Sequence, residues 1–322
     1  MRLTIPLICV VQLTAADLKI ESGLTDHQVF QRNVEGRAVI AVRGKTAASG
    51  NIEGRVLRGQ LPVAGLDWHA AGVAAKGEFN AEIKGVPAGG PYRIDFRVTG
   101  SQEHQSVHDV LVGDLWVLAG QSNMQGVGDL VDVEQPNGLV HNFDMAHQWS
   151  VAEEPLHTLV SARNPVHWPR NASKEPEKYE GERLRQYIAN RRKGAGLGLP
   201  FAVEMVRRTG VPVGLLACAH GGTSMDQWNP DLRARGGESL YGSMMMRIAD
   251  AGGKVAGLLW YQGESDANPN AAPVFQQKFE RFIATLRSDL GDPNLPFYYV
   301  QIGRHVAAAP PGDWNLVQES QR

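Results

Sequence analysis

Residues 115–126 read LWVLAGQSNMQG, and this stretch decides the fold class. Apolar residues fill LWVLA, which is typical of a strand buried on both faces, and Gly120 ends the run. Gln121, Ser122 and Asn123 follow at once, although polar side chains have little reason to stand there for stability. The pattern predicts a serine nucleophile at the carboxyl end of a parallel strand.

The chain after residue 110 repeats this alternation of strand and loop. Apolar runs in VPVGLLACA, AGLLWY and PFYYVQI predict three more buried strands. One helix is predicted in GLPFAVEMVRR, ended by Gly210, and another in PVFQQKFERFIATLRSDLG, ended by Gly291. Strands that alternate with helices predict that residues 111–322 form an α/β domain, with a parallel sheet covered on both faces.

The front of the chain has a different texture. The segments RAVIAVRG, NIEGRVLRG, EFNAEIKG and YRIDFRVTG are rich in β-formers and bounded by Gly, Pro or Asn. They predict a small antiparallel β-sandwich domain over residues 17–110. Residues 1–16 carry one arginine and a short apolar core that ends in two alanines, which predicts a weak signal peptide and a secreted, periplasmic or lumenal protein. A first β-strand is the alternative interpretation of that stretch.

Composition excludes several classes of function. The chain has 322 residues, 43% apolar and 20% charged, which is typical of a globular protein of about two domains. A net charge of −2 gives no electrostatic basis for binding nucleic acid, and no apolar run is long enough for membrane insertion. Cys9 lies in the predicted signal peptide and Cys218 in an apolar run, so neither a disulfide nor a cysteine metal site is expected. His104 and His108 lack a third ligand, so no metal is predicted.

Three polar loops follow the predicted strands, at residues 120–124, 219–228 and 261–266. Ligands bind beyond the carboxyl ends of parallel strands, so these loops are expected to line one crevice. Their residues suit acyl transfer, with Ser122 as nucleophile and the backbone N–H groups of Ser122, Gly221 and Gly222 as oxyanion donors. Gln262 offers a further donor, and no cofactor is needed because water completes the cycle. Met124 breaks the G-x-S-x-G pattern, which argues against an α/β-hydrolase.

The motifs GDLWVLAGQSNM, GGTSMDQW and LWYQGESD occur in this order and together resemble the sialate O-acetylesterase family. This family is a branch of the SGNH hydrolases and resembles plant and bacterial carbohydrate acetylesterases. The resemblance implies an SGNH-type three-layer α/β/α domain and an acetylated carbohydrate substrate. It also implies that Ser122 is the nucleophile and that Gly222 and Gln262 are oxyanion donors. It covers the chain from about residue 112, and the β-rich front matches more loosely.

The general base is the open part of this prediction. The family places its histidine in an Asp-x-x-His motif after the last strands, and the sequence is expected to stop before that motif. Three other candidates exist: His147 has the same spacing from Asp144, His220 adjoins the glycines, and His305 follows a strand end. Glu264 either orients a histidine as the acid of a triad or anchors its loop by accepting backbone N–H groups.

Other side chains of the loops have plainer interpretations. Asp226 is expected to fix its loop or a helix start, and Asp129 and Asp266 are expected to be solvated. Trp260 is expected in the core, and core packing is favoured over sugar stacking for Trp228.

Two functions follow from these observations. The leading hypothesis is a serine esterase that hydrolyses O-acetyl groups of carbohydrates through an acyl-enzyme. The alternative is a non-catalytic carbohydrate-binding protein that keeps the crevice and lacks the base.

Overall fold

The computed structural model describes residues 18–303 and 311–322. The predicted signal peptide, Cys9 and His305 lie outside the described residues. Among the helices of the described ranges, none combines the length and apolar character that crossing a bilayer requires.

The front of the chain folds as antiparallel strands. The strands, in chain order, are β1 (Leu18–Ser22), β2 (Val29–Gln31), β3 (Arg37–Thr46), β4 (Gly50–Arg58), β5 (Leu61–Pro62), β6 (His69–Ala75), β7 (Glu78–Pro87) and β8 (Gly89–Val98). They pair in the order β1-β3-β7-β6-β4-β8, and the four segments predicted as strands are β3, β4, β7 and β8. Every second residue of β3 is buried, as expected for a strand with one face on a core. That core encloses Ile40, Ile52, Ile83 and Phe96 without solvent contact.

The remainder alternates strands and helices. Its elements, in chain order, are β9 (Gln105–Gly120), α1 (Ser122–Gln125), β10 (Gly128–Asp129), β11 (Val140–Phe143), β12 (Trp149–Val151), α2 (Gly181–Asn190), β13 (Lys193–Ala195), α3 (Gly198–Thr209), β14 (Val213–Ala217), α4 (Leu240–Asp250), β15 (Gly257–Tyr261), α5 (Phe275–Leu290), β16 (Phe297–Tyr299) and α6 (Pro311–Ser320). Short 3₁₀ turns cover Leu159–Ser161, Pro165–His167, Pro230–Glu238, Glu264–Asp266 and Ala272–Val274. Gly210 and Gly291 adopt the left-handed conformation directly after α3 and α5, where the sequence predicts both helices to end.

A parallel sheet with helices on both faces forms the centre of this region. The strand order is β11-β14-β9-β15-β16, and β12 pairs antiparallel with β11 at the edge. Along β9, Leu115, Val117 and Ala119 face a core shared with α4 and α5. Trp116 and Leu118 face a second core shared with α3. The predicted α/β fold with a sheet buried on both faces is therefore confirmed.

The long strand β9 belongs to both regions. Its first part pairs antiparallel with β8, from Gln105 opposite Phe96 to Val112 opposite Gly89. Its second part pairs in parallel with β14 and β15. Near residue 110 the sequence changes from short β-rich segments to alternating strands and helices, and this position falls inside β9. Arg32 holds Asp114 of β9 through two N–H groups at 2.8 and 2.9 Å, so the front strands also steady the strand that leads to Ser122.

Candidate active site

The carboxyl ends of three neighbouring strands form the edge that carries the candidate site. β9 lies between β14 and β15, with Leu118 opposite Ala217 and Gly120 opposite Tyr261. β14 and β11 lie on one side of β9, and β15 and β16 lie on the other, so the strand order reverses at β9. Ligands of open α/β sheets bind outside such a switch point. The three polar loops therefore leave the sheet side by side, as the sequence predicts.

Ser122 begins a short helix directly after this turn. Gly120 has a φ of 127°, and a Cβ on it would lie 2.3 Å from Tyr261 O, so a side chain does not fit. Gln121 N donates to Tyr261 O at 2.8 Å and holds the turn in place. Ser122 is partly exposed, and neither its hydroxyl nor its N–H has a hydrogen-bond partner among the described residues. Both groups are thus available to a bound ester.

The second loop lies against the first through its glycines. Gly221 N donates to Gln125 Oε1 at 2.7 Å, and a Cβ on Gly221 would lie 3.5 Å from Ser122 Cβ. Gly222 follows in the left-handed region with a φ of 70°, and its N–H has no partner in the described ranges. Gly221 therefore uses its N–H to join the loops, whereas Gly222 keeps its own free. This supports Gly222 over Gly221 as the oxyanion donor, a role that stays a prediction.

Gln262 lies at the start of the third loop and is buried. Its side chain has no exposed surface, and its NH2 group donates to Thr223 O at 3.0 Å and to Asp266 Oδ2. Gln262 therefore ties the second loop to the third. An amide nitrogen carries two hydrogens, so Gln262 could donate to an oxyanion only by giving up one of these two hydrogen bonds. The donor role of Gln262 stays a prediction, and it requires that change of partner.

Glu264 reaches the first loop through Asn123. Glu264 Oε1 accepts from Asn123 Nδ2 at 2.6 Å, while Oε2 is buried and has no partner in the part of the chain described. Glu264 thus accepts from a side-chain amide, an alternative to the two roles predicted for it, triad acid and backbone anchor. The second hydrogen of Asn123 Nδ2 remains available, so this amide beside Ser122 is a further candidate donor. The motif around Asn123 does not indicate this role, because the carboxylate that orients the amide lies 141 residues away in the sequence.

Burial decides the roles of several nearby side chains. The prediction that Asp266 is solvated is wrong, because its side chain is fully buried and accepts Met225 N at 2.9 Å. Burial raises the pKa of the Asp266 carboxyl. Trp228 and Trp260 are fully buried with ring centroids 5.3 Å apart, so core packing is confirmed for both. Cys218 is likewise buried in the core.

Two further carboxylates are exposed and paired. Asp226 accepts from Lys278 Nζ at 2.6 Å, which ties the second loop to α5 instead of capping a helix. Asp129 pairs with Lys193 at 2.8 Å between β10 and β13. Exposed pairs of this kind contribute little to stability, so neither is expected to control the site.

The candidate base His147 has a different partner. Asp144 accepts the backbone N–H groups two and four residues along, so the Asp-x-x-His spacing closes a turn. His147 Nδ1 instead lies 2.6 Å from Asp250 Oδ2. Burial and the charge of Arg247 lower the pKa of His147 to about 4. His147 is thus bound to α4, with no contact to Ser122.

The candidate base His220 is packed against His167. The two rings stack with centroids 5.3 Å apart and planes at 27°. Burial lowers the pKa of His220 to about 4, so the imidazole is neutral at pH 7. Among the described residues, no histidine nitrogen is hydrogen-bonded to Ser122 Oγ.

Comparison with known proteins places the chain among carbohydrate esterases. A probable carbohydrate esterase of Arabidopsis thaliana is 27% identical over 210 residues, covering 58% of this chain and 68% of that protein. The sialate O-acetylesterase of Homo sapiens is 27% identical over 208 residues, covering 56% of this chain and 37% of that protein. A carbohydrate acetylesterase structure from Xanthomonas citri matches with a TM-score of 0.58 and 25% identity, covering 95% of this chain and 65% of that one.

The chain therefore spans about two thirds of the plant and bacterial relatives and little more than a third of the human one. The model of a carbohydrate esterase family, the sialic acid-specific acetylesterases, matches residues 112–322, which is the range where the three motifs carry the resemblance. The resemblance drawn from those motifs is confirmed: the chain belongs to the sialic acid-specific acetylesterase family of carbohydrate esterases.

Proposed function

We propose that the chain is a serine esterase that releases acetate from O-acetylated carbohydrate. The observation that carries the proposal is the approach of Gly221 to Ser122, since a Cβ on Gly221 would lie 3.5 Å from Ser122 Cβ. Gly222 directly follows Gly221, and within the described residues the backbone N–H groups of Gly222 and Ser122 have no partner. A nucleophile beside unpaired backbone donors is the arrangement that acyl transfer requires. Family membership supports the same reaction class.

The proposed reaction has two halves. Ser122 Oγ attacks the acetyl carbonyl carbon as a histidine base takes its proton, and the carbonyl oxygen becomes an oxyanion held by Ser122 N–H and Gly222 N–H. The bond to the sugar oxygen then breaks, and the histidine returns the proton to that oxygen. Water repeats the sequence on the acetyl-serine and releases acetate. Within the described residues no histidine is hydrogen-bonded to Ser122 Oγ. The base in this proposal is the one that the resemblance implies, a histidine of an Asp-x-x-His motif.

Two features support a carbohydrate as the leaving group. The similar proteins are a probable carbohydrate esterase and a sialate O-acetylesterase, and the family is one of sialic acid-specific acetylesterases. The loops around Ser122 are also polar, since they present Asn123, His220 and Glu264, all partly exposed. Hydroxyl-rich molecules are held by hydrogen-bonding side chains of this kind.

The test compares the wild type with Ser122→Ala in acetate release from 4-nitrophenyl acetate and from an O-acetylated sugar. We expect Ser122→Ala to lose at least about 10³-fold in kcat, because the acyl-enzyme cannot form. Ser150→Ala, on the exposed strand β12, is the matched control and should retain full activity. Activity that survives Ser122→Ala would refute the nucleophile. A folded wild type that releases no acetate yet binds the acetylated sugar would favour the carbohydrate-binding alternative.

A further inference from the structure

A buried hydrogen-bonded chain of three side chains ends beside the second loop. His167 Nε2 lies 3.1 Å from Ser243 Oγ, and His167 Nδ1 lies 3.2 Å from His220 Nδ1. Ser243 has no exposed surface and His167 almost none, whereas His220 is partly exposed. His220 is also fixed at its backbone, because its N–H donates to Gly120 O and its carbonyl accepts from Thr223 Oγ1. The chain therefore runs from the interior to the residue directly before Gly221.

The contact between the two rings needs one proton, and only two arrangements supply it. A neutral imidazole has one N–H and one bare nitrogen. In the first arrangement, Ser243 donates to His167 Nε2, and His167 Nδ1–H donates to His220 Nδ1, so the proton of His220 is on Nε2. In the second arrangement, every bond runs in the opposite direction, and His220 Nε2 is bare.

The buried hydroxyl of Ser243 selects the first arrangement. Its contact with His167 is its one hydrogen bond among the described residues, so the second arrangement leaves the O–H with no acceptor. A buried donor without a partner is costly, and native structures avoid it. His220 Nε2 has no protein partner in the described ranges and is not among the fully buried polar atoms, so it retains contact with solvent. The structure therefore leaves a free Nε2–H on His220, directly before Gly221 in the second loop.

The surroundings keep both rings neutral. Arg247 of α4 is fully buried, and its charge acts on His167 together with the rings of His147, His157 and His220. No carboxylate is paired with Arg247 within the described residues. Burial and this positive charge lower the pKa of His167 well below its usual range, and burial lowers that of His220. The direction of each hydrogen bond is thus not disturbed by protonation at neutral pH.

We propose that His220 is a substrate-binding residue whose Nε2–H donates to an oxygen acceptor on the sugar that carries the scissile acetyl group. His167 and Ser243 are positioning residues that set this tautomer. The substrate part of the inference rests on the proposed function. A donor with a fixed proton discriminates sugar esters from esters whose leaving group has no oxygen acceptor at that distance, because hydrogen-bonding sites reject ligands that leave them unpaired.

The first experiment measures the tautomer and does not depend on activity. Nitrogen-15 NMR of the full chain labelled at histidine should show His220 neutral, with its proton on Nε2, at pH 7. In Ser243→Ala the donor to His167 is gone, so we expect a mixture of the two tautomers at His220. Ser288→Ala, an exposed helical serine on α5, is the control and should leave the spectrum unchanged. A wild-type His220 that carries its proton on Nδ1, or titrates near pH 6.5, would overturn the assignment.

The second experiment measures the use of the donor. The ratio of kcat/KM for a mono-O-acetylated methyl glucoside to that for 4-nitrophenyl acetate should fall about 10-fold in His220→Ala, mainly through KM, and about 3-fold in Ser243→Ala. His220→Gln keeps an N–H donor of similar reach and should recover part of the loss. An unchanged ratio in His220→Ala would overturn the inference, even with Ser122-dependent activity intact. If the wild type hydrolyses neither ester, the proposed function fails, and NMR alone decides the donor.

Discussion

The hydrogen bond from Gly221 N to Gln125 Oε1 connects the second loop, residues 219–228, to the short helix that begins at Ser122, and Gln125→Leu removes it. The bond is 2.7 Å long, and Gly221 is partly buried, so leucine leaves a backbone donor without a partner. Such a loss costs about 1–2 kcal/mol of unfolding free energy. For a chain of this size that corresponds to a decrease of roughly 1.5–3 °C in melting temperature.

The same change should lower activity more than stability suggests. Gly222 directly follows Gly221, so loss of this bond should displace the Gly222 N–H, and a displaced donor serves the proposed oxyanion poorly. Complete removal of one oxyanion donor costs on the order of 10²–10³ in kcat, so a displaced donor should cost about 10-fold. The measurement is kcat for 4-nitrophenyl acetate alongside a thermal melt. KM should change little, because the donor acts on the charged intermediate.

Gln125→Glu separates the two effects. A carboxylate still accepts the Gly221 N–H, so the melting temperature should return close to that of the wild type. Its negative charge lies beside the developing oxyanion, so kcat should stay low. If Gln125→Leu melts and turns over like the wild type, this bond does not position the second loop, and the proposed role of the contact between Gly221 and the Ser122 helix is wrong.

Three further changes test the surroundings of the site. Gly120→Ala puts a Cβ 2.3 Å from Tyr261 O, so we expect little folded protein, measured by soluble yield and circular dichroism. Burial raises the folded-state pKa of Asp266 above the ordinary 3.8, so the wild type loses stability as pH rises above about 4. In urea titrations, Asp266→Asn should therefore gain stability relative to the wild type between pH 4 and pH 7. An equal difference in unfolding free energy at both pH values would contradict this. Trp228→Ala removes a fully buried ring and should cost about 3–5 kcal/mol of unfolding free energy, whereas a stable variant with weaker sugar binding would restore the stacking interpretation.

Secondary structure in the α/β region was predictable because local pattern and tertiary role agree there. A run such as VGLLA is apolar at every position, and the corresponding strand β14 is buried at every position. Helix α5 places Phe275, Phe279, Phe282 and Leu286 on its buried face, at the spacing the sequence shows. Strand β16 is shorter than PFYYVQI suggests, since Phe297–Tyr299 alone pairs with β15.

Other elements gave weaker local signals. The segment HAAGVAA of β6 has one β-branched residue, yet it pairs with β4 and β7 on both sides. Its strand conformation comes from those neighbours, since β-propensity is a statement about context. The start of α4 is similarly set by a cap, in which Ser239 Oγ accepts from Gly242 N at 3.1 Å. A single serine among glycines and charged residues does not predict such a helix cap.

The positions of the loops were predictable, but the contacts inside them were not. The motifs place Ser122, Gly222 and Gln262 directly after predicted strands. Parallel pairing of β9 with β14 and β15 then brings the three loops to the same edge of the sheet. The partners of each polar group depend instead on side chains distant in sequence: Gln125 meets Gly221 across 96 residues, and Asn123 meets Glu264 across 141. The sequence places Asn123 beside the strand end but indicates no partner for Asn123 or Gln125, because glutamine and asparagine carry no pattern that separates a buried bridge from a solvated surface.

The three loops also differ in how tightly they are held, and this bears on the reaction. Gln262 is bonded to Thr223 and Asp266, and Trp228 Nε1 donates to Thr223 Oγ1 at 3.0 Å, so the base of the second loop is fixed from below. Above it, Gly222 is exposed and its N–H unpaired. An oxyanion site gains most when its donors are fixed before the substrate arrives, because no free energy is then spent on reorienting them. In the proposed reaction, the buried amide and indole therefore stabilise the intermediate indirectly, by fixing the loop that carries Gly222.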